Sequence, residues 1–379
     1  MAAKTCIGLD LGSSAIKVAQ VKVGRGGGVQ LIAFGIEPLI PDAIVDGTIM
    51  NQGAVVDTIR ALMTRLKLKQ KDVALAISGH SVIIKKIFVP AMTPEELEEQ
   101  IPWEAEQHIP FDKNDVEIDH QVLSGKNAQG QMELLLVAAK KDVVRDITSI
   151  AREAQLNPVV VDIAAFAVQN AFEISYDAIE PNDTIVLINV GASVSNINII
   201  SGGTSSFTRD VTTGGGAFTD EIKRQLNVSH EEAESLKRSA SETVLEGDPG
   251  AGRNTPLGLK RNTGKLFGLP RDADRIMQQT AEQMAGEFAK SLDFYLASHP
   301  DTTVSKIYLA GGGARVTTLH QAIASRSHVP VEVMDPFRRM TIPEGVGPGK
   351  FDLAFLKLHA SQAAVAVGLA LRSPGDKFE

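Results

Sequence analysis

The chain has 379 residues, and its 46 Asp and Glu outnumber its 38 Lys and Arg, which gives a net charge of −8 at pH 7. This acidic balance argues against a duplex nucleic-acid binder, because such a protein needs a basic face. A hydrophobic share of 43% excludes a mostly disordered chain. Cys6 is the single cysteine, which excludes an internal disulfide and a cysteine-rich metal site. The length suits two lobes, and the composition is typical of a cytosolic protein.

The first part of the chain alternates apolar and polar residues between glycine turns. This pattern predicts three antiparallel strands at 4–11, 15–23 and 29–36. Apolar residues at helical spacing then predict a helix over 51–68. Two more strands are expected at 72–78 and 82–89.

The next block has the signals of a small inserted subdomain. Thr93 and Glu96 form a T-x-x-E capping box with proline at the first helical position, which predicts a helix that Pro102 should kink or interrupt. Paired strands at 115–123 and 131–139 follow. A helix over about 142–155 closes the block.

The second half repeats the opening pattern. A buried strand runs into a helix over 158–172, and residues 184–211 then read as strand, glycine turn, strand, glycine turn and strand. This repeat of 4–37 predicts two halves of similar topology. The remaining elements are a loop at 240–270, a long helix at 271–298, a strand meeting a glycine turn at 304–316 and an Ala-rich helix at 352–372.

Membrane and targeting signals are not expected. Gly and Asp residues interrupt the N-terminal segment before an apolar region can form, which argues against a signal peptide. No apolar run approaches the roughly 18 residues of a membrane-spanning helix. Residues 372–379 are polar and contain Pro374 and Gly375, which argues against an amphipathic membrane anchor. Membrane association is therefore expected only through a partner.

Three glycine turns carry the candidate chemistry. Residues 10–14 and 189–193 each follow a strand, and such hairpin turns bring backbone N–H groups and hydroxyls to phosphate oxygens. Asp10 ends its strand, where it could hold a hydrated Mg²⁺ ion, and Lys17 lies close by. Residues 311–314 end a later strand, and their glycines permit the close approach of a base and ribose. Together, in duplicated halves, these turns predict a nucleotide site.

The chain resembles the actin/Hsp70/sugar-kinase ATPase superfamily. Residues 7–21 resemble its first phosphate motif, 185–199 its second and 307–323 its adenosine motif. Two connecting helices are implied at about 162–175 and 361–372. Within the superfamily the sequence is most similar to the PilM family of type IV pilus assembly, relatives of the division protein FtsA. The segments that carry this similarity are 8–18, 89–111, 134–144 and 156–172.

The resemblance implies an α/β, actin-like fold of two duplicated, ribonuclease-H-like lobes with an FtsA-type subdomain 1C. The implied division is 1A at 1–89, 156–183 and 352–379, 1C at 90–155, 2A at 184–222 and 300–351, and 2B at 223–299.

The resemblance also implies ATP and Mg²⁺ as cofactors. The implied nucleotide-contacting residues are Asp10, Gly12, Ser13, Ser14, Lys17, Asn189, Gly191, Ala192, Ser193, Gly214, Gly215, Glu234, Lys237, Gly311, Gly312 and Gly313. Asp10 and, more weakly, Asn189 would hold Mg²⁺ through water. Asp162 is a candidate water-positioning residue, with a helix N-cap as its alternative role. For Glu234 and Lys237 the alternative is an exposed i,i+3 ion pair.

Asn189 departs from the superfamily, whose second phosphate motif normally begins with Asp. An amide accepts a hydrogen bond from a metal-bound water, but it cannot act as a base or offset the charge of Mg²⁺. ATP binding should therefore survive more easily than hydrolysis, and we expect slow or absent turnover.

The implied function is that of a cytoplasmic ATP-binding scaffold, peripheral at the inner membrane. In the family, PilM binds the N-terminal cytoplasmic tail of PilN in a groove between 1A and 1C and so links the PilN–PilO complex to pilus motor ATPases. The candidate groove residues are Ile84, Phe88, Val89, Leu97, Ile101 and Trp103. Trp103 would be an anchor there or part of the subdomain's own core. An FtsA-like filament-forming division ATPase is the alternative function, a sugar or acetate kinase is a third, and a homo-oligomeric state is left open.

Overall fold

The computed structural model describes residues 5–24, 26–245, 269–343, 345 and 351–375. Its strands, in chain order, are β1 (Ile7–Leu11), β2 (Ala15–Val23), β3 (Val29–Pro38), β4 (Ile44–Val45), β5 (Thr48–Ile49), β6 (Asp72–Ile77), β7 (Val82–Pro90), β8 (Val116–Ser124), β9 (Gln131–Lys140), β10 (Asn157–Ile163), β11 (Thr184–Val190), β12 (Ser195–Ser201), β13 (Thr204–Val211), β14 (Val304–Ala310) and β15 (Val331–Val333). Its α-helices are α1 (Gln52–Arg65), α2 (Pro94–His108), α3 (Lys141–Glu153), α4 (Ala164–Ser175), α5 (Gly216–Leu226), α6 (His230–Leu245), α7 (Leu269–Ser298), α8 (Thr317–Ser327), α9 (Leu353–His359) and α10 (Ala364–Ala370).

The two halves of the chain form five-stranded sheets of the same topology. The first sheet has the order β3-β2-β1-β6-β10, and the second has the order β13-β12-β11-β14-β15. In each, an antiparallel meander of three strands continues into two parallel ones. The predicted internal duplication is confirmed. The parallel strands end at one edge of their sheet, so the turns that follow β1 and β6 lie at the same edge.

Helices α4 and α10 pack against each other and share one apolar core with residues of both sheets. Small residues allow this packing: a Cβ added to Gly368 of α10 would lie 1.7 Å from the carbonyl oxygen of Ala167 in α4. On the other side, a Cβ on Gly8 of β1 would lie 1.9 Å from the carbonyl oxygen of Ala366. Cys6 is fully buried in the same core, as a small hydrophobic residue. The two connecting helices therefore cross almost backbone to backbone.

The C-terminal helix differs from the prediction of one helix over 352–372. It is divided into α9 and α10 by a 3₁₀ turn at Ala360–Ala363. The carbonyl of Ser361 in this turn accepts a hydrogen bond, at 2.7 Å, from the backbone N–H of Gly311. Because that carbonyl serves the glycine turn of the other lobe, the α-helical hydrogen-bond series is locally broken.

The same segment corrects the expectation about membrane helices. By length and composition alone, Leu353–Ala370 is apolar enough to cross a membrane. In the structure, 61% of that window is buried, and α10 packs on α4 and on β1. The segment therefore has the packing of a core helix.

The smaller sheet, β7-β9-β8, is covered on one face by α2. The capping box at Thr93 is confirmed, because its hydroxyl accepts from the N–H of Glu96 and its own N–H donates to the Glu96 carboxylate. Pro102 does not interrupt α2, which continues to His108. The proline removes one hydrogen bond only. The apolar face of Leu97, Ile101 and Ala105 packs on the sheet both before and after Pro102.

Sheet pairing favours earlier limits for the inserted subdomain, at both ends, than 90–155. Strand β7 pairs with β9 along its whole length, whereas the resemblance implies that residues 82–89 lie in 1A. Helix α3 packs on the first large sheet, since Ile147 and Ile150 share a core with Val73. We therefore propose that the insertion spans about residues 82–140.

The second lobe is completed by helices α5 to α8. Phe218 of α5 and Phe288 of α7 are fully buried against Val186 and Ile188 of β11. Of the predicted loop at 240–270, residues 246–268 lie outside the described residues. The flanking residues belong to helices, because α6 ends at Leu245 and α7 begins at Leu269.

Candidate functional site

The first glycine turn is built around an ion pair. Asp10 and Lys17 lie directly opposite each other on β1 and β2, and the Lys17 Nζ is 3.0 Å from the Asp10 carboxylate. A Cβ at Gly12 would lie 2.7 Å from that Nζ, so the glycine leaves room for the lysine beneath the turn. Ser13 is half-buried and Ser14 is exposed. The turn thus presents two hydroxyls beside one carboxylate and one ammonium group.

The second turn is attached to the start of α5. The N–H of Gly215 donates to the carbonyl of Gly191, and the N–H of Gly216 donates to that of Ala192, both at 2.8 Å. Ser193 is half-buried in the same turn. Gly214 packs against both carbonyls, at 2.6 Å from an added Cβ. The predicted residues of the second phosphate turn and of the following helix start are therefore brought together.

The third turn contacts the second. Gly311 has a φ of +84°, and a Cβ there would lie 2.3 Å from the Val190 carbonyl oxygen, so glycine is required on both counts. The Cα of Gly313 lies 3.5 Å from the Cβ position of Gly215, and Gly312 packs against Gln362. One continuous glycine-lined surface therefore joins β11, α5 and β14.

Asn189 heads a row of polar side chains across three strands. Its register partner on β12 is Asn196, whose partner on β13 is Asp210. The Nδ2 of Asn189 donates to the Oδ1 of Asn196 at 3.0 Å, and the Nδ2 of Asn196 donates to Asp210 at 2.7 Å. The Asp210 carboxylate also accepts from the backbone N–H of Gly79, in the turn between β6 and β7. The row thus connects the second turn to the first lobe.

Glu234 and Lys237 form the predicted i,i+3 pair, but it is partly buried. The Lys237 ammonium donates to the Gly215 carbonyl at 3.2 Å and to the Thr219 hydroxyl at 2.8 Å, and that hydroxyl donates to Glu234. Burial opposes ionisation of Glu234, yet the charge and hydrogen bond of Lys237 hold its pKa below the usual value. The pair therefore fixes the start of α5, while its contact with adenosine stays a prediction.

His320 of α8 supports the third turn, because its Nε2 hydrogen bonds with the carbonyl of Ala314. Burial lowers the pKa of His320, and the bond to Ala314 opposes that shift only in part. The folded chain therefore takes up this proton less readily than the unfolded chain. The resulting stability is complete above the ordinary histidine pKa of about 6.5 and is lost as the pH falls below it.

We expect the free energy of unfolding to fall more steeply for the wild type than for His320→Gln between about pH 7.5 and about 5.5, by up to about 1.4 kcal/mol per pH unit. Urea unfolding at several pH values measures this slope. Equal slopes for the wild type and His320→Gln would contradict the assignment.

Asp162 is placed in an ion pair. One carboxylate oxygen lies 3.2 Å from Arg372 Nη1, and the other accepts from the N–H of Ile163 at 2.7 Å. The Asp162 side chain is only 6% exposed. The N-cap position of α4 is Ile163, so Asp162 is not the helix cap. Its pairing favours a structural role over the positioning of a water.

The six candidate partner residues do not form one surface. Val89, Leu97 and Ile101 are buried in the core between the small sheet and α2, which corrects their assignment to a groove. Phe88 is 57% exposed and Trp103 is 60% exposed, so Trp103 is not a core residue.

Strand and helix geometry places these two aromatic residues on opposite sides of the subdomain. Neighbours along a strand point to opposite faces of the sheet. Val89 packs in the core beneath α2, so its neighbour Phe88 points away from α2. On α2, Ile101 faces the sheet and Trp103 points outward, where the Lys113 ammonium lies 3.7 Å from its ring centroid. Ile84 shares the face of Phe88 and is half-buried against the first-lobe core.

Sequence reasoning did not single out Asn196, Asp210, Gly79 and His320. The hairpin itself contains a signal for Asn196, since a polar residue that alternates with Ile197 and Ile199 along a strand must find a partner when it is buried. Asp210 and Gly79 carried no comparable signal, because their contact joins segments 131 positions apart.

The donors at the turns fit a polyphosphate nucleotide with a hydrated Mg²⁺ ion. Lys17, the serine hydroxyls and the backbone N–H groups would hold phosphate oxygens, while Asp10 and Asn189 would hold metal-bound water. Within the residues that the structure describes, no group of three or more His, Cys, Asp and Glu forms a metal site. A bound Mg²⁺ would therefore take most of its ligands from phosphates and water, as it commonly does.

Known proteins support the fold and the family. The solved structure of a PilM–PilN type IV pilus biogenesis complex is similar to this chain at 27% identity, with a TM-score of 0.78 over 97% of this chain and 98% of that one. The ethanolamine utilization protein EutJ from Carboxydothermus hydrogenoformans has a TM-score of 0.53 at 16% identity, over 97% of this chain and 89% of that one, which shows the fold alone. The fold is the actin-like ATPase fold that was predicted. A family model described as type IV pilus assembly protein PilM matches residues 8–243 and 262–374, and the chain belongs to this family.

Proposed function

We propose that this chain is a cytoplasmic ATP-binding scaffold that binds the N-terminal cytoplasmic tail of a PilN protein. Through that tail it would join the PilN–PilO complex at the inner membrane to pilus motor ATPases. The similarity to a PilM–PilN complex supports the choice of partner. The observation that carries the proposal is the exposed Phe88 on a face of the small sheet that also borders both lobes.

The Phe88 face consists of Ile84, Lys86, Phe88, Glu133, Leu135 and Val137, which alternate to the side opposite α2. It borders the first lobe at Ile84 and the second at Lys86, whose ammonium reaches the Ser206 hydroxyl of β13 at 3.4 Å. Burial lowers the pKa of Lys86, and Glu133, 3.9 Å away, opposes this shift. An apolar side chain of the tail would gain most at Phe88, since the rest of the face is already partly covered.

The nucleotide is proposed as a structural or switching ligand with slow turnover or none. Asn189 supports this choice, because its amide cannot act as a base. Its Oδ1 lies against Gly311, 2.7 Å from an added Cβ there, and so is directed toward the third turn. The chain's own residues would bind and orient the phosphates and hold a water, and the Asn189 amide would not take a proton from it.

The test is calorimetric titration with a synthetic peptide of the PilN tail from the same genome, with and without Mg·ATP. We expect Phe88→Ala to weaken peptide binding at least about tenfold, which corresponds to about 1.4 kcal/mol. Trp103→Ala is the matched control. This side chain is about equally exposed, but it lies on the outer face of α2, away from the Phe88 face. It should change the affinity less than about threefold.

Two outcomes would contradict the proposal. A wild-type chain that binds Mg·ATP but not the peptide would shift the function toward filament assembly, which sedimentation would then detect. A loss of peptide affinity in Trp103→Ala and not in Phe88→Ala would place the tail on the outer face of α2.

A further inference from the structure

The polar row of Asn189, Asn196 and Asp210 has a fixed direction of hydrogen bonding. A carboxylate only accepts, and Asp210 accepts at both ends: from Asn196 and from the backbone N–H of Gly79. Asn196 must therefore turn its NH₂ group to Asp210 and its carbonyl to Asn189. Asn189 must in turn direct its NH₂ group at Asn196. The Asn189 carbonyl oxygen is left pointing away from the row, against Gly311 of the third turn.

Burial makes this direction costly to change. Asn196 is only 5% exposed, and Asn189 and Asp210 are half-buried. Turning one amide alone would set two donors or two acceptors against each other, and a buried polar group without a partner is destabilising. The row therefore behaves as one unit whose direction is set at Asp210.

The far end of the row lies outside the second lobe. Gly79 has a φ of +92° in the turn that leaves β6 of the first sheet and enters β7 of the small sheet. The bond from its N–H to Asp210 thus joins β13 to the point where the inserted subdomain begins. Any movement of that turn relative to β13 acts on Asp210 and, through Asn196, on Asn189.

We propose that Asn196 and Asp210 are positioning residues, which hold the Asn189 carbonyl toward the third turn of the nucleotide site and tie this orientation to the turn at Gly79. The inference rests on the proposed nucleotide site and names two residues that act on it without touching the ligand. It also gives Asn189 a defined purpose, because an aspartate at this position would meet the Asn196 carbonyl as a second acceptor.

Reversing the row provides a sharp test. In Asp210→Asn, the new amide can accept from Gly79 with its carbonyl and donate to the Asn196 carbonyl with its NH₂ group. Every bond is then kept, but each amide turns over, and Asn189 presents its NH₂ group to the third turn in place of its carbonyl. In the double variant Asn189→Asp/Asp210→Asn the reversed row ends on a carboxylate, which restores an acceptor there.

The measurement is ATP affinity by calorimetry with Mg²⁺ and with a chelator, alongside thermal unfolding. We expect the affinity gained from Mg²⁺ to fall at least about fivefold in Asp210→Asn, with little change in the unfolding temperature, and to return in the double variant. Asn189→Asp alone should be destabilised, since two acceptors then face each other. Asp220→Asn makes the same charge change at an exposed site of α5 and should behave as the wild type.

An unchanged Mg²⁺ dependence in Asp210→Asn would overturn the proposal, and so would a wild type that gains no affinity from Mg²⁺. If the wild type binds no ATP at all, the proposed nucleotide site fails, and the row is tested by itself through hydrogen exchange of the Gly79 amide. Asp210→Ala should speed that exchange at least about tenfold, whereas Asp210→Asn should leave it protected. Equal exchange in both variants would show that Asp210 does not hold the turn.

Discussion

Gly368→Ala is expected to destabilise the chain by about 3 kcal/mol or more, although alanine is the better helix former by about 1 kcal/mol. The added methyl group would lie 1.7 Å from the Ala167 carbonyl oxygen, about half of a normal contact distance. Backbone cannot move aside as a flexible side chain can, so α4 and α10 must separate. These helices connect the two lobes through a shared core, and their separation opens that core on both sides.

Urea unfolding of Gly368→Ala and of Gly53→Ala measures the effect against a matched change. Gly53 is also helical, but an added Cβ would meet nothing nearer than 3.8 Å. This control should be neutral or more stable by up to about 1 kcal/mol. A Gly368→Ala variant as stable as the control would mean that the two helices cross at a greater distance than the structure shows.

The duplicated architecture was predictable because its signals are local. Alternation of apolar residues and the turns at Gly12 and Gly191 determine two meanders without reference to the rest of the chain. The same holds for the capping box at Thr93, which lies within four residues. The sheet order of the two lobes then confirmed that the repeat in sequence is a repeat in structure.

The partner surface was predicted less well, because apolar character does not reveal which way a side chain points in a short inserted unit. Val89 and Phe88 are neighbours, yet one is fully buried and the other is exposed. The decisive fact is that α2 covers one face of the small sheet, and this depends on how β7 pairs with β9 across about fifty residues of sequence. The packing of α2 on the small sheet therefore decides which candidate residues lie in the core and which lie on the surface.

The positioning row illustrates a different limit. In the sequence, Asn189 is a departure from the superfamily, and its expected chemistry is that of an isolated amide. The structure gives it partners on two further strands and a backbone donor from the other lobe. Which end of the amide faces the site follows from the acceptor at position 210, and no local pattern at 189 carries that information.

Arg372→Met is expected to be the second strongly destabilising change, by about 3–5 kcal/mol, because it leaves the buried carboxylate of Asp162 without its cation. Arg372 Nη1 lies 3.2 Å from that carboxylate, and the two side chains are 13% and 6% exposed. In the unfolded chain water solvates both charges, so the substitution does not raise the free energy of the unfolded state. Chemical unfolding of the variant measures the difference directly.

The double variant Asp162→Asn/Arg372→Met separates the two roles considered for Asp162. If the aspartate serves packing, removing its charge should restore at least half of the lost stability, since no unpaired ion then remains buried. ATP affinity and any turnover should be the same in Asp162→Asn and in the wild type. A variant Asp162→Asn that is stable and binds ATP normally but loses its turnover would instead restore Asp162 as a residue that positions water, and the ion pair with Arg372 would then be the means by which it is held in place.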